Sequence, residues 1–376
     1  MNIAFHVPRA SFLDPHARGG DSVNTTNLVD ALTVRGHRVE VVSHLDARDY
    51  IRGRLPLRRL FAEALSIRRR MRAFAPDAWL VYGPSVTYPD LFGWWLRPRR
   101  YVLYAAHRGK KERLPRRWRS LFVLAHRCSL ARADGITVLR PTSALRRDAA
   151  GVTLDEVEVL PPAPRQWAST PSREEARLRL GLPSDAPIVL CLARFPKRSK
   201  YGKTEMVITL LRVVAELSEN VILLLVGDEG PGRPHVEDEI MRLGLERKVH
   251  FVDPGERERL LGSISNEDVP WFYAAADVYA YPHPLDQTWL SLVEAQACGR
   301  PVVTMRTPSS ELLIRHNETG LLAGDVNEFR SYLGQLLSDP DRREAMGRAA
   351  YGHFASNLSM AHHMERVEAL LAGSDS

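Results

Sequence analysis

DVYAYPHPLDQTWLSLVEAQACGRP (277–301) decides the fold. The apolar run Val278–Tyr281 has the length and composition of a buried strand, and Pro282 and Pro284 end it. From about Thr288 to Cys298 apolar residues recur at helical spacing until Gly299 stops them. A strand that runs through a short loop into a helix is the repeating unit of a parallel α/β sheet. Asp286 falls in that loop, and Glu294 falls roughly two turns further on, at ~3.6 residues per turn. Helix starts hold anions and polar ligands through free N–H groups, so both carboxylates are candidate ligand contacts. The same spacing also fits an N-cap aspartate and a solvated glutamate.

Outward from this junction the alternation continues. Strand-like runs are expected at 3–7, 39–43, 79–82, 101–105 and 135–139, and the pattern restarts after the proline-rich PPAPRQWASTPS (161–172). The second series is 188–192, 221–226, 249–252, 278–281 and 301–305. The fold class is α/β: two doubly wound, Rossmann-like domains, 1–165 and 166–355, facing one another across a cleft that holds the binding site. Residues 356–376 are expected to form a C-terminal helix and tail returning to the first domain.

Composition sets outer bounds. The chain has 376 residues, 44% of them apolar, enough for two to three domains with substantial cores. No uninterrupted apolar stretch approaches the ~20 residues that span a bilayer, and MNIAFHVP runs into a strand instead of a signal peptide. A cytoplasmic location is expected. Cys128, Cys191 and Cys298 lack metal-binding or redox spacing and read as reduced core thiols.

The net charge of +7 conceals an asymmetry. Residues 1–170 hold 29 Lys and Arg against 15 Asp and Glu (+14), whereas 171–376 hold 23 against 30 (−7). Arginine concentrates in IRGRLPLRRLFAEALSIRRRMRAF (51–74) and RPRRYVLYAAHRGKKERLPRRWRS (97–120), both interleaved with apolar and aromatic residues. Such segments suit an anionic ligand or membrane surface, or are simply solvated arginine-rich faces. No nucleic-acid motif accompanies the charge, and nucleic acid is not expected as a partner.

Two loops carry phosphate chemistry. In PRASFLDPHARGGDS (8–22) the pair Gly19-Gly20 precedes a helix expected over 22–35, and glycines there let backbone amides approach a phosphate. In LARFPKRSKYGKTE (192–205) a strand end is followed by Arg194, Lys197, Arg198, Lys200 and Lys203. Arg194 is the leading candidate, because a guanidinium grips a diphosphate bidentately, with a lysine as a second point charge. Asp339-Pro340-Asp341 has the form of a metal-binding Asp-x-Asp but reads as the capped start of a helix. His362 and His363, adjacent on an expected helix, point apart and make poor joint ligands.

Taken together, these motifs resemble retaining GT-B glycosyltransferases, those of glycosyltransferase family 4 in particular, over nearly the whole chain. GGDSVNTTNLVDALTVRGHRVEVVS (19–43) is similar to the family's Gly-Gly loop, helix and Gly-His turn. VLCLARF (189–195), ILLLVGDEGP (222–231), WFYAAADVYAYP (271–282), LVEAQACGRPVV (292–303) and SSELLIRHNETGLL (309–322, with Glu311 and Gly320) resemble its second half. The family's Glu-x7-Glu pattern falls on Asp286 and Glu294. The resemblance implies that Gly19, Gly20, Arg194 and Lys203 bind the donor diphosphate, with Lys200 the alternative lysine, that Glu294 binds the ribose, and that Asp286 contacts the transferred sugar. It places His107, in YAAHRG (104–109), beside the reacting sugar, and the acceptor on loops around Arg9, Arg18 and His107.

The chain departs from the family in several places. Asp286 replaces Glu, Gln287-Thr288-Trp289 replace Gly-Phe-Gly, LPPAPRQW (160–167) lacks an Asn-Gly, and DPGERERLLGS (253–263) is long. The expected function is transfer of a sugar from a UDP- or GDP-sugar to an acceptor hydroxyl with retention, without metal or other cofactor. The acceptor is expected to be anionic or membrane-associated, with peripheral attachment at the inner face of the membrane. A catalytically silent GT-B subunit that binds membrane or protein, and a GT-B nucleotide-sugar epimerase or hydrolase, are the alternatives.

Overall fold

The computed structural model describes residues 1–13, 20–51, 56–96, 98–107, 116–141, 157–161, 167, 169–193, 195–197, 199, 202–218, 220–227, 230–252, 268–286 and 290–373. These divide into two compact units, Met1–Arg165 together with Met360–Ser376, and Gln166–Ser359. Each unit is built on one six-stranded, wholly parallel sheet.

The first sheet comprises β1 (Asn2–His6), β2 (Arg38–Val41), β3 (Ala78–Tyr82), β4 (Tyr101–Tyr104), β5 (Gly135–Val138) and β6 (Val157–Val159), in the order β2-β1-β3-β4-β5-β6. The second comprises β7 (Ile188–Leu192), β8 (Ile222–Val226), β9 (Val249–Val252), β10 (Val278–Tyr281), β11 (Val302–Met305) and β12 (Gly320–Ala323), in the order β12-β11-β10-β7-β8-β9. The central strands are continuous apolar runs because helices cover both faces of a parallel sheet. β3, β4 and β10 are buried along their whole length. Strand order reverses between β1 and β3 and between β7 and β10, and the crevice at the carboxyl ends of such a pair is where doubly wound sheets hold ligands.

Ten expected strands lie within a residue or two of their observed ends. The sequence reading missed β6 and β12. The helix expected over 288–298 spans Leu290–Ala297, with Thr288 and Trp289 outside the described residues. The helix expected over 22–35 spans Gly20–Val34. Asp339 caps the helix Pro340–His353, its carboxylate accepting from Arg342 N at 3.0 Å. Cys191 and Cys298 are buried and Cys128 is half-buried, all three as free thiols, and burial pushes Cys191 up to about 12.

The helix Met360–Ala372 packs on the first unit. Met360, Met364, Val367 and Leu371 recur on one face and enter the core with Ile3, Phe5, Leu80 and Tyr104. Its polar contacts fix the docking. Glu368 accepts from Arg35 Nη2 at 2.7 Å and from His37 Nε2 at 2.8 Å, and Arg366 Nε donates to Glu158 at 2.6 Å. The Arg35 hydrogen bond, with help from His37, holds the Glu368 carboxyl down at about 2.

His363 is buried on the same helix and takes a 2.8 Å hydrogen bond from the Tyr104 hydroxyl, whose pKa burial raises. Burial pushes His363 down to about 3. An unfolded chain protonates histidine near its ordinary value of about 6.5. The stability contributed by the neutral ring is therefore complete above that pH and is lost as pH falls, at up to about 1.4 kcal/mol per pH unit. We expect the urea midpoint to drop between pH 7 and pH 5. His363→Gln, which keeps an acceptor for Tyr104, should flatten that slope by close to one proton.

Candidate functional site

In the second unit, Lys203 follows the carboxyl end of β7, and Asp286 and Glu294 follow that of the adjacent β10. The loop after β8 lies directly against the loop after β7. A Cβ on Gly227 would stand 1.8 Å from Ala193 O, and one on Gly230 would stand 2.2 Å from Phe195 O, so neither position accepts a side chain. Gly232 N donates to Phe195 O at 2.9 Å, and Thr204 Oγ1 to Pro196 O at 2.7 Å. The backbone on either side of residue 194 is thus clamped, while Arg194 itself lies outside the described residues, as do Arg198 and Lys200.

Lys203 is the first residue of the helix Lys203–Ala215, whose N-cap, Gly202, provides no side-chain cap. The start of this helix therefore presents N–H groups and a cation at the β7 end of the crevice. Lys203 lies close enough to Cys191 and His283 to act on both electrostatically. His283, two residues past β10, is buried, stacks on Tyr281 at 5.9 Å and accepts from Leu285 N through Nδ1 at 3.2 Å. Burial and then the Lys203 charge push its pKa down, so the ring is neutral at physiological pH.

Glu294 is buried, which departs from a solvated glutamate. The Tyr273 hydroxyl, from the helix Val269–Ala275, donates to Glu294 Oε2 at 3.0 Å and lies 3.1 Å from Ser291 O. Burial and then the neighbouring carboxylate raise the Tyr273 pKa well above that of an ordinary phenol, so it stays a donor. Asp286 is half-buried, and its Oδ1 accepts from Ser309 N at 2.8 Å. Ser309 sits in the first turn of the helix Pro308–Leu313, so Asp286 fastens its loop to a different helix from its own. Glu311, on that helix, is exposed and paired with Arg306 at 3.0 Å.

The first unit carries the remaining candidates. Ala105 turns the chain after β4 with φ 55°, its N held by Thr137 Oγ1 at 2.9 Å, and His107 N then donates to Pro84 O at 3.0 Å beyond the end of β3. A non-glycine residue in this conformation is strained, and such strain gathers at functional sites. His107 is half-buried. It lies near His126, which burial, and then the His107 charge, push down to about 4. Arg9, after β1, lies over the Phe12 ring at 4.5 Å and the Tyr88 ring at 5.7 Å. Gly20 opens the helix Gly20–Val34, while Arg18 and Gly19 lie outside the described residues, as do 253–263 and Gln287.

The geometry of the second unit has counterparts among known proteins. Residues 172–353 match the family described as "Glycosyl transferases group 1". The match runs along nearly the whole of the second unit, Gln166–Ser359. Among curated relatives, the D-inositol 3-phosphate glycosyltransferase of Corynebacterium jeikeium is 31% identical over 214 residues, 53% of this chain and 48% of that protein. The GDP-mannose-dependent alpha-(1-6)-phosphatidylinositol monomannoside mannosyltransferase of Mycolicibacterium smegmatis is 31% identical over 245 residues, 62% of this chain and 57% of that protein. The chain spans about half the length of the curated relatives it matches. Among solved structures, Anabaena HepE in complex with UDP covers 99% of this chain and 100% of its own at TM-score 0.71 and 17% identity. Sucrose-phosphate synthase from Thermosynechococcus elongatus covers 98% of both chains at TM-score 0.69 and 18% identity. The fold is that of GT-B glycosyltransferases.

Tyr273 and His283 escaped the sequence reading. The signal for His283 was present, since Tyr279, Tyr281 and His283 alternate along one strand face, with ring centroids 6.2 and 5.9 Å apart. Nothing local marks Tyr273, whose partner lies 21 residues downstream. Tyr273→Phe leaves a buried carboxylate short of one hydrogen bond and should lower stability by about 1–3 kcal/mol in urea unfolding.

Proposed function

We propose that this chain is a retaining glycosyltransferase that moves a sugar from a UDP- or GDP-sugar to an acceptor hydroxyl without a metal ion. The observation that carries this is the buried Glu294, in the helix that follows β10 and held by Tyr273, with the helix start bearing Lys203 following β7, the strand paired with β10. A carboxylate held in a buried, hydrogen-bonded setting suits a ribose hydroxyl donor, and an uncapped helix start with a lysine suits a diphosphate. The relative named for GDP-mannose and the structure bound to UDP support the donor class.

In this reading the glycosidic bond to the diphosphate breaks as the acceptor oxygen bonds to the anomeric carbon from the same face. The acceptor proton passes to the departing phosphate oxygen, so configuration is kept and no protein nucleophile is needed. Lys203, its helix start and Arg194 offset the charge that develops on the diphosphate, the work a metal does in other transferases. Asp286, braced by Ser309, is assigned to the transferred sugar, and Gly19 and Gly20 to the donor phosphates. His107 and Arg9 are assigned to the reacting sugar and the acceptor side.

The acceptor is anionic or borne on an anionic membrane. Supporting this, the helix Leu57–Phe74 exposes Arg58, Arg59, Arg68 and Arg69 beside Phe61 and Leu65, which are 68% and 56% exposed. Among the described residues no helix is long and apolar enough to cross a membrane. A basic face with exposed apolar residues suits attachment to an anionic membrane surface.

Calorimetric titration with UDP, GDP, ADP and dTDP in chelator tests the donor site. One nucleotide should bind, and Lys203→Ala or Glu294→Gln should each weaken it by roughly 10–100-fold. No binding, even with magnesium, sinks the reading and leaves a silent subunit. Product turnover with donor alone would instead mark an epimerase or hydrolase, and a trapped glycosyl ester on Asp286 or Glu294 would contradict the same-face mechanism. Arg68→Glu with Arg69→Glu should impair acceptor use while leaving nucleotide affinity within about twofold.

A further inference from the structure

The amino end of the second sheet, opposite the strand ends that carry Lys203 and Asp286, opens into a cavity of about 720 Å³. Four guanidinium groups line it, Arg173, Arg300, Arg343 and Arg348, against two carboxylates, Asp277 and Glu344. Asp277 is already committed. It accepts from Arg177 Nη2 at 2.7 Å, Arg173 Nη2 at 3.1 Å and Ile188 N at 2.7 Å, and it stands 3.9 Å from Arg343 Nε. Glu344 is 3.8 Å from Arg348, both more than two-thirds exposed, so it offsets only part of the positive charge within the cavity. Counting Arg177 behind Asp277, five cations face two anions.

Arg300 makes the imbalance informative. Its Nε donates to Cys298 O at 3.0 Å and its Nη1 to Ala276 O at 2.9 Å, and among the described residues no carboxylate pairs with it. Burial lowers its pKa, yet an arginine stays charged at neutral pH. Arg173 Nε is buried without a hydrogen-bond partner, and Arg343, only 13% exposed, donates through Nη1 to the carbonyls of Leu336 and Leu337 at 2.8 and 3.3 Å but among the described residues meets no carboxylate within 3.5 Å. Protein-enclosed guanidinium groups without a full set of anions are costly unless an anion completes them. The surplus is too large for a single carboxylate and matches a dianionic group. Ala297, Pro301, Pro340 and Tyr351 supply apolar wall beside the arginines, and the volume suits a small organic molecule.

We propose that this cavity binds a phosphorylated small molecule, its phosphate held by Arg173, Arg300 and Arg343 with the exposed Arg348 beside them, at a site separate from the nucleotide crevice. The recognised chemistry is a phosphate ester or diphosphate, free or as a lipid headgroup. The site is independent of the donor reading, since its residues lie at the other end of the strands.

Inorganic pyrophosphate is the probe, titrated by calorimetry into Lys203→Ala so that the nucleotide crevice is disabled. Binding should persist in that background and weaken at least about tenfold when Arg173→Gln and Arg348→Gln are added. Glu344→Gln, which removes a lining anion, should tighten binding by roughly threefold, a gain that misfolding does not produce. No binding in Lys203→Ala, or affinity unmoved by these substitutions, overturns the proposal. Co-sedimentation with phosphatidylcholine vesicles carrying phosphatidic acid separates the sources. Release by pyrophosphate that depends on Arg173 and Arg348 assigns a lipid headgroup, and its absence, with pyrophosphate binding intact, assigns a free phosphate ester.

Discussion

Asp277 fixes the second unit at the point where its strand order reverses. Its N donates to Ile188 O at 2.8 Å while its carboxylate accepts from Ile188 N at 2.7 Å, so the start of β10 is locked to the start of β7 in one register. A slip of one residue would turn every side chain of β10 to the opposite face. Tyr279 and Tyr281 would exchange faces with their neighbours, and the chain that leads to His283 and Asp286 would leave the strand out of phase. Arg177, 2% exposed, completes the lock through Asp277 and the carbonyls of Ala275, Pro183, Ser184 and Ala186. Burial depresses its pKa and Asp277 opposes that. Losing either partner would strand a charge in the interior, so this pair holds a specific register more than it adds net stability.

Most of the fold was legible because parallel strands covered on both faces are written as unbroken apolar runs, as in Ile188–Leu192 and Val278–Tyr281. The two strands that escaped show the limit of that signal. β6 is three residues with a charged centre, Val-Glu-Val, at a sheet edge, and β12 is four residues opening on a glycine. Neither is long enough to establish a period, and both are defined by the neighbour they pair with. Of the site, the spacing of Asp286 and Glu294 was legible, since a strand-to-helix junction dictates it. What each carboxylate touches was not. Ser309 reaches Asp286 from 23 residues on, and Tyr273 reaches Glu294 from 21 residues back, contacts that exist only once helices from separate crossovers converge. Gly227 and Gly230 lie in ILLLVGDEGP, but the reason for them, an adjoining loop that leaves no room for a Cβ, belongs to tertiary structure.

The helix Leu290–Ala297 ties the two ends of the second sheet together. It begins beside the crevice, buries Glu294 midway, and ends at Cys298-Gly299-Arg300 on the arginine-lined cavity. Gly299, with φ 64°, turns the chain so that the Arg300 side chain can return to the carbonyls of Cys298 and Ala276. One eight-residue helix thus carries a candidate ligand group and, at its end, the turn that aims a guanidinium. Its apolar face packs Leu292, Val293 and Ala295 into the core, which leaves it little freedom to move independently of the sheet.

The first unit is written in two pieces, with the whole of the second unit between Arg165 and Met360. The helix that supplies Met360, Met364, Val367 and Leu371 to its core is therefore synthesised only after the whole of the second unit. On the ribosome the second unit, contiguous in sequence, can close as soon as it has emerged, whereas the first must wait with one apolar face of its sheet only partly covered, by Leu28, Ala31 and Leu32. The arginine excess of that half then has a second consequence. Like-charged nascent surfaces repel one another, and a half-covered sheet that carries strong positive charge is shielded from association with its copies until the helix Met360–Ala372 arrives.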